Sequence, residues 1–152
     1  MPSDMIKTPN PSDEEVQDAF QTISGLPGPS DQLGTRLQKL AELIAKSGPL
    51  PREPLLLWEE SVNSTRHVVV GNELVVGRQP GPGGLRLADD KTLGRRHFVV
   101  RKTGEDYIVE DLKSRNTTVV NQVENKIQHY VLRDGDLIFA GGHLFFFLQR
   151  GV

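Results

Sequence analysis

At Pro54 the hydrophobic period of this 152-residue chain falls from about 3.6 to about 2, and from there turn residues return about every 6–12 positions. Ten short runs then qualify as strands: Leu55–Glu60, Arg66–Val70, Glu73–Val76, Leu85–Leu87, Phe98–Lys102, Tyr107–Glu110, Thr118–Val120, Gln128–Val131, Leu137–Phe139 and Leu144–Gln149. Period-2 runs this short expose one face to water and must bury the other, which leaves an antiparallel sandwich or barrel. Gly71-Asn72 reads as a tight hairpin turn between two of the runs. Gly104, Asp134-Gly135 and Gly141-Gly142 punctuate others, and Gly81-Pro82-Gly83-Gly84 is a loop that no strand could traverse.

Upstream the pattern is helical. Residues 1–11 carry Pro2, Pro9 and Pro11 among polar neighbours and read as a disordered tail. Ser12 with Glu15 forms a capping box, and Val16, Ala19, Phe20 and Ile23 follow at helical spacing to a stop at Gly25. A second helix is expected from Ser30 to about Lys46, with Leu33, Leu37, Leu40 and Ile44 as its stripe and Leu43 beside it. The predicted organisation is a tail over 1–11, a helical hairpin and linker over 12–53, and a β domain over 54–152.

Composition removes several classes of function. The chain has no Cys, hence no disulfide framework and no thiolate metal site. Its apolar runs fall short of the roughly 20 residues that span a bilayer, and Met1–Lys7 lacks the apolar stretch of a signal peptide. The reading is an intracellular, cytoplasmic protein that binds no membrane. A net charge of −2 argues against a general nucleic-acid binder. The charge is unevenly spread. Residues 1–50 hold 4 Lys/Arg and 7 Asp/Glu, whereas residues 78–115 hold 9 Lys/Arg and 6 Asp/Glu.

That basic excess coincides with three segments at predicted strand ends: Gly77-Arg78, Gly94-Arg95-Arg96-His97 and Ser114-Arg115-Asn116-Thr117-Thr118. Arginine forks suit a phosphate dianion, and Asn116 can both donate to and accept from an extended main chain. Alternation, if it already holds before Phe98, puts Arg95 and His97 on one side and sends Arg96 to solvent. Gly77 is read as the residue that lets the chain turn. His97, without a paired acid or nucleophile nearby in sequence, is read as a loop-fixing residue. Ser114 and Thr118 suit loop backbone groups. The segment Leu132–Gly142 reads as architecture. No P-loop, metal-ligand cluster or nucleophile–base signature is present, so no cofactor, no metal and no catalysis are expected.

In order and spacing these segments resemble the forkhead-associated (FHA) domain over residues 54–152. The family pattern of Gly-Arg, Ser-Arg-x-His, Ser-x-Asn-Gly-Thr-x-x-Asn and Leu-x-x-Gly-Asp-x-Ile-x-x-Gly is met at Gly77-Arg78, Arg95, His97, Ser114, Asn116, Thr118, Asn121, Leu132, Gly135, Asp136, Ile138 and Gly141. The resemblance implies an eleven-stranded β-sandwich, preceded here by the helical hairpin, and a non-catalytic adaptor for phosphothreonine peptides in Ser/Thr kinase signalling. It assigns phosphate to Arg78 and Arg95, with Arg115 at a further phosphate-contacting position. It assigns the peptide to Asn116, with Gly94 and Ser114 in the same pocket, and loop stability to His97, Thr118 and Asn121. Gly94 stands where the family has serine, and Thr117 where it has glycine. Both departures favour the alternative, a scaffold of the same fold that binds its partner independently of phosphate. The resemblance also brings in an intramolecular contact, in which a phosphorylated Thr8, followed by Pro9 in the tail, closes the site.

Overall fold

The computed structural model of the chain describes residues 33–149. The tail, the first predicted helix, the start of the second at Ser30 and the Thr8 contact lie outside the described residues. Among the described residues one helix, α1 (Leu33–Ser47), precedes ten strands: β1 (Leu55–Ser61), β2 (Ser64–Val69), β3 (Glu73–Gly77), β4 (Leu85–Arg86), β5 (Phe98–Thr103), β6 (Asp106–Asp111), β7 (Thr118–Val120), β8 (His129–Leu132), β9 (Leu137–Ala140) and β10 (His143–Leu148). Each of the ten predicted runs is a strand. The eleventh that the resemblance implied is not found among the described residues.

The strands form two five-stranded sheets, ordered β2-β1-β10-β9-β7 and β4-β3-β5-β6-β8. The pairings are antiparallel apart from the short β3–β4 contact. The Gly71-Asn72 turn is therefore no hairpin. It joins β2 of one sheet to β3 of the other. The local turn chemistry is present, with Gly71 at φ +66°, but the two flanking runs bury their apolar sides by facing across the sandwich.

The core between the sheets contains Leu56, Trp58, Phe98, Val100, Val109, Ile138, Phe145 and Phe147. Trp58 meets Phe145 edge-on at 5.4 Å between ring centroids, and Phe98 meets Phe145 at 5.6 Å. A second apolar cluster lies on the other face of the first sheet, where Leu55, Leu57, Leu137, Phe146 and Leu148 are covered by Leu40 and Leu43 of α1. Hence β1 has four consecutive buried residues, Leu55–Trp58, where simple alternation would leave two exposed. The helix uses Leu40, Leu43 and Ile44 as its seam. Leu37, expected in that stripe, is 46% exposed, because the sheet lies under the C-terminal two turns.

Register places the site. Val76 pairs with Phe98 and Phe98 with Asp111. The end of β3, the start of β5 and the end of β6 therefore stand abreast, and the loops leaving them emerge at one end of the second sheet.

Candidate functional site

These three loops surround an open depression of about 450 Å³. Six basic residues line it: Arg78 from the loop after β3, Lys91, Arg95 and Arg96 from the loop before β5, and Lys113 and Arg115 from the loop after β6. Among the described residues no acid lines it. Among the described residues none of the six is in an ion pair. Thr92, Gly94, Ser114 and Asn116 complete the wall.

The backbone reasons are specific. Gly77 is not in the left-handed region, so it serves proximity rather than turning. A Cβ there would collide with the Arg95 carbonyl oxygen and stand 2.7 Å from the Arg95 carbonyl carbon and 2.8 Å from the Gly94 oxygen. The close approach is held by Arg78 N–H donating to the Gly94 carbonyl (3.0 Å), Gln79 N–H to the Arg95 carbonyl (2.9 Å) and His97 N–H to the Val76 carbonyl (2.8 Å). Arg78 also donates from Nε to the Leu93 carbonyl at 2.6 Å, which fixes the stem of its fork, while its two terminal nitrogens carry no such bond among the described residues.

His97 is fully buried and clamps two of the loops. Its Nδ1 accepts from Gly94 N–H at 2.8 Å, so the ring proton lies on Nε2, which donates to the Thr117 carbonyl at 2.8 Å. The amide of Gly94 is thus committed to the histidine, and this position offers the depression no side-chain donor. A Cβ at Gly94 would meet nothing nearer than His97 Nδ1 at 3.5 Å, an ordinary contact.

The third loop is organised by Asp111, which sequence reading missed. Its Oδ1 accepts from Ser114 Oγ (2.5 Å) and Thr118 Oγ1 (2.7 Å), and its Oδ2 from Ser114 N–H (3.1 Å). An aspartate three residues before a serine is a recognisable Asx-type signal that could have found it. The Ser114 hydroxyl proton is spent on this carboxylate, so Ser114 lines the wall but has no donor left for an anion. Asn116 donates from Nδ2 to the Thr92 carbonyl at 2.7 Å, tying the second loop to the third. Lys113 (φ +58°) and Thr117 (φ +65°) sit in the left-handed region, which non-glycine residues rarely adopt. Asn121, at φ +67°, accepts from Leu137 N–H (2.8 Å) and donates to Asp136 Oδ1 (3.1 Å), outside the depression.

A second carboxylate, that of the half-buried Asp90, holds the Lys91–Thr92 turn. It accepts from Thr92 N–H (2.9 Å) and Oγ1 (2.5 Å), Gly142 N–H (2.7 Å) and His143 Nδ1 (2.8 Å). Burial raises its pKa, but these four hydrogen bonds outweigh that and hold it below the ordinary aspartate value. Gly141, at φ +58°, keeps the approach open, since a Cβ there would stand 2.8 Å from Asp90 Oδ2.

Arg95 and Arg96 do not divide between two faces. Strand geometry starts only at Phe98, residues 95–96 are in a turn, and both arginines are exposed and line the depression. Lys91, Arg96 and Lys113 are the lining cations that sequence reasoning left out. Among the described residues no helix is long and apolar enough to cross a membrane.

The comparisons agree with this geometry. The family model described as FHA domain matches residues 74–141, which span all three loops. The oxoglutarate dehydrogenase inhibitor of Corynebacterium jeikeium (strain K411) is 32% identical over 109 residues, covering 72% of this chain, and the chain spans 65% of that relative's length. An FHA domain from a structural and functional analysis of phosphothreonine-dependent FHA domain interactions superposes with a TM-score of 0.54 at 26% identity, over 65% of this chain and 98% of the other. The FhaA FHA domain in complex with the intracellular domain of Rv3910 gives 0.52 at 27% identity, over 62% and 99%. With ten strands in two sheets among the described residues, the three motif loops at one end and these matches, the β-sandwich of this chain has the FHA-domain fold, and its residues 74–141 match the FHA-domain family.

Proposed function

We propose that this protein is a non-catalytic adaptor that binds phosphothreonine-containing segments of partner proteins in Ser/Thr kinase signalling. One observation carries the reading: among the described residues, six basic side chains from three loops ring a depression, none of them in an ion pair, and no acid stands in its wall. A phosphorylated threonine brings about −1.5 to −2 charges and strong acceptor oxygens to such a site. Arg78 and Arg95 take the phosphate, Arg115 adds a third fork, and Asn116 holds the peptide main chain with its remaining amide groups. His97, Thr118 and Asn121 keep the loops in place, as does Ser114 through Asp111. The relative's description as an inhibitor and the phosphothreonine-dependent interactions of the FHA neighbour support an output through binding another protein.

Gly94 favours a second reading, binding without phosphate, because it supplies no hydroxyl where the family has one. A missing donor to a charged acceptor costs roughly 1.5–3 kcal/mol, about one to two decades of affinity. Isothermal titration with phosphorylated and unphosphorylated forms of one peptide separates the two. The adaptor reading expects at least a hundredfold preference for the phosphorylated form; equal affinities would establish the scaffold instead.

A further inference from the structure

We propose that the segment this site takes carries further acidic groups beside the phosphothreonine, read by Lys91, Arg96 and Lys113. The inference rests on the phosphothreonine reading and adds the chemistry of the flanks.

The first support is charge balance. Three arginines with Asn116 suffice for one dianion, yet among the described residues six cations line the depression and no acid does. Two acids of these loops, Asp90 and Asp111, have largely buried side chains and spend their oxygens on loop hydrogen bonds, and the exposed Asp89 is not in the depression's wall. A cluster of like charges repels itself, so a ligand bearing only one phosphate leaves part of that repulsion in place. A ligand with two or three more negative groups removes it.

The second support is backbone conformation. Lys113 is held at φ +58°, where glycine or asparagine would sit with less strain. The Asp111 hydrogen bonds to Ser114 on the next residue fix that conformation. Lys91 likewise rides on a turn fixed at Thr92 by Asp90. Pre-ordered loops lower the cost of ordering the site when a ligand arrives. Carboxylates of Asp or Glu and a second phosphorylated side chain share the required chemistry.

The test uses the full chain and four peptides of one backbone: a phosphothreonine with neutral flanks, the same with two Glu on each side, the same with a second phosphorylated residue, and the Glu-flanked peptide without phosphate. An exposed ion pair is worth a factor of roughly 1.5 to 5, so three give about a tenfold advantage to the Glu-flanked over the neutral phosphopeptide. In the Lys91→Gln/Arg96→Gln/Lys113→Gln variant that ratio falls below about twofold. An advantage confined to the doubly phosphorylated peptide, lost in the same variant, supports the proposal and identifies the second anion. Equal affinity of neutral and acidic phosphopeptides for the parent overturns it and leaves the phosphothreonine reading standing. Failure of every phosphopeptide to bind, or equal binding of the unphosphorylated Glu peptide, overturns both. Phosphatidylserine vesicles bound as tightly as the acidic phosphopeptide would make the cations a general anionic-surface patch and overturn it as well. If the triple variant fails to melt cooperatively by Trp58 fluorescence, Lys91→Gln alone carries the test: it must lower the ratio, and an unchanged ratio counts against the proposal.

Discussion

Gly77 touches no ligand in this account, yet Gly77→Ala should disable the site. The added methyl would collide with the Arg95 carbonyl oxygen and stand within 2.8 Å of the Gly94 oxygen. Both are backbone atoms, so no rotamer change relieves the overlap. The loop before β5 must move outward, and three hydrogen bonds oppose that movement: Arg78 N–H to Gly94, Gln79 N–H to Arg95 and His97 N–H to Val76. Overpacking costs roughly 1–3 kcal/mol and the loss of one of these bonds about 0.5–1.5 more, so a loss of about 1.5–4.5 kcal/mol is expected. At about 2 kcal/mol per molar, that lowers the urea midpoint by roughly 1–2 M. Trp58 is the single tryptophan and is buried against Phe145, so its fluorescence reports the transition. Phosphopeptide affinity should fall by at least tenfold, because Arg95 moves with its carbonyl. An unchanged midpoint together with unchanged affinity would refute the claim that close backbone approach at Gly77 positions the arginines.

Gly94→Ser should be accommodated, with its Cβ 3.5 Å from His97 Nδ1, and should tighten phosphopeptide binding by up to about tenfold, whereas Arg115→Ala should weaken it by at least that much; titration of both variants checks the pair. Leu43→Ala removes a buried side chain between α1 and the first sheet and should cost about 2–5 kcal/mol, read as a lower midpoint in urea; no change would mean that the helix does not dock. The lowered pKa of Asp90 gives stability that is fully present above the ordinary aspartate value of about 4 and is lost as pH falls through the folded value. The difference in urea midpoint between the parent and Asp90→Asn should therefore shrink on going from pH 6 to pH 2.5, and a constant difference would contradict the assignment.

Much of the fold was legible because strand patterning is local. The runs around Phe98, Asp106–Asp111 and Leu137–Ala140 are strands at the predicted places to within a residue or two. What local pattern cannot report is which sheet a strand joins, and Gly71-Asn72 shows it: the turn is there, but its flanks separate into different sheets. The docking of α1 had a signal that went unused, the unbroken apolar runs Leu55–Trp58 and Leu144–Leu148, which mean burial on both faces. At the site, motif order brought together Arg78, Arg95, Arg115 and Asn116, which line one depression. Arg96 was sent to solvent by applying strand alternation two residues before the strand begins. Lys91, Asp90 and His143 were invisible because 52 to 53 residues separate Asp90 from its partners Gly142 and His143. The resemblance put Ser114 in the pocket and it lines the depression, but its hydroxyl proton belongs to Asp111.

The central claim is that phosphate is read by the three-loop depression. Amide spectra of the labelled chain, recorded with phosphorylated and unphosphorylated forms of one peptide, test it directly. The account predicts that the phosphorylated form shifts the amides of Arg78, residues 92–97 and residues 112–117, that the unphosphorylated form shifts none at equal concentration, and that Arg78→Ala removes the response. Identical shifts from both peptides, or shifts confined to the α1-covered face of the first sheet, would contradict it.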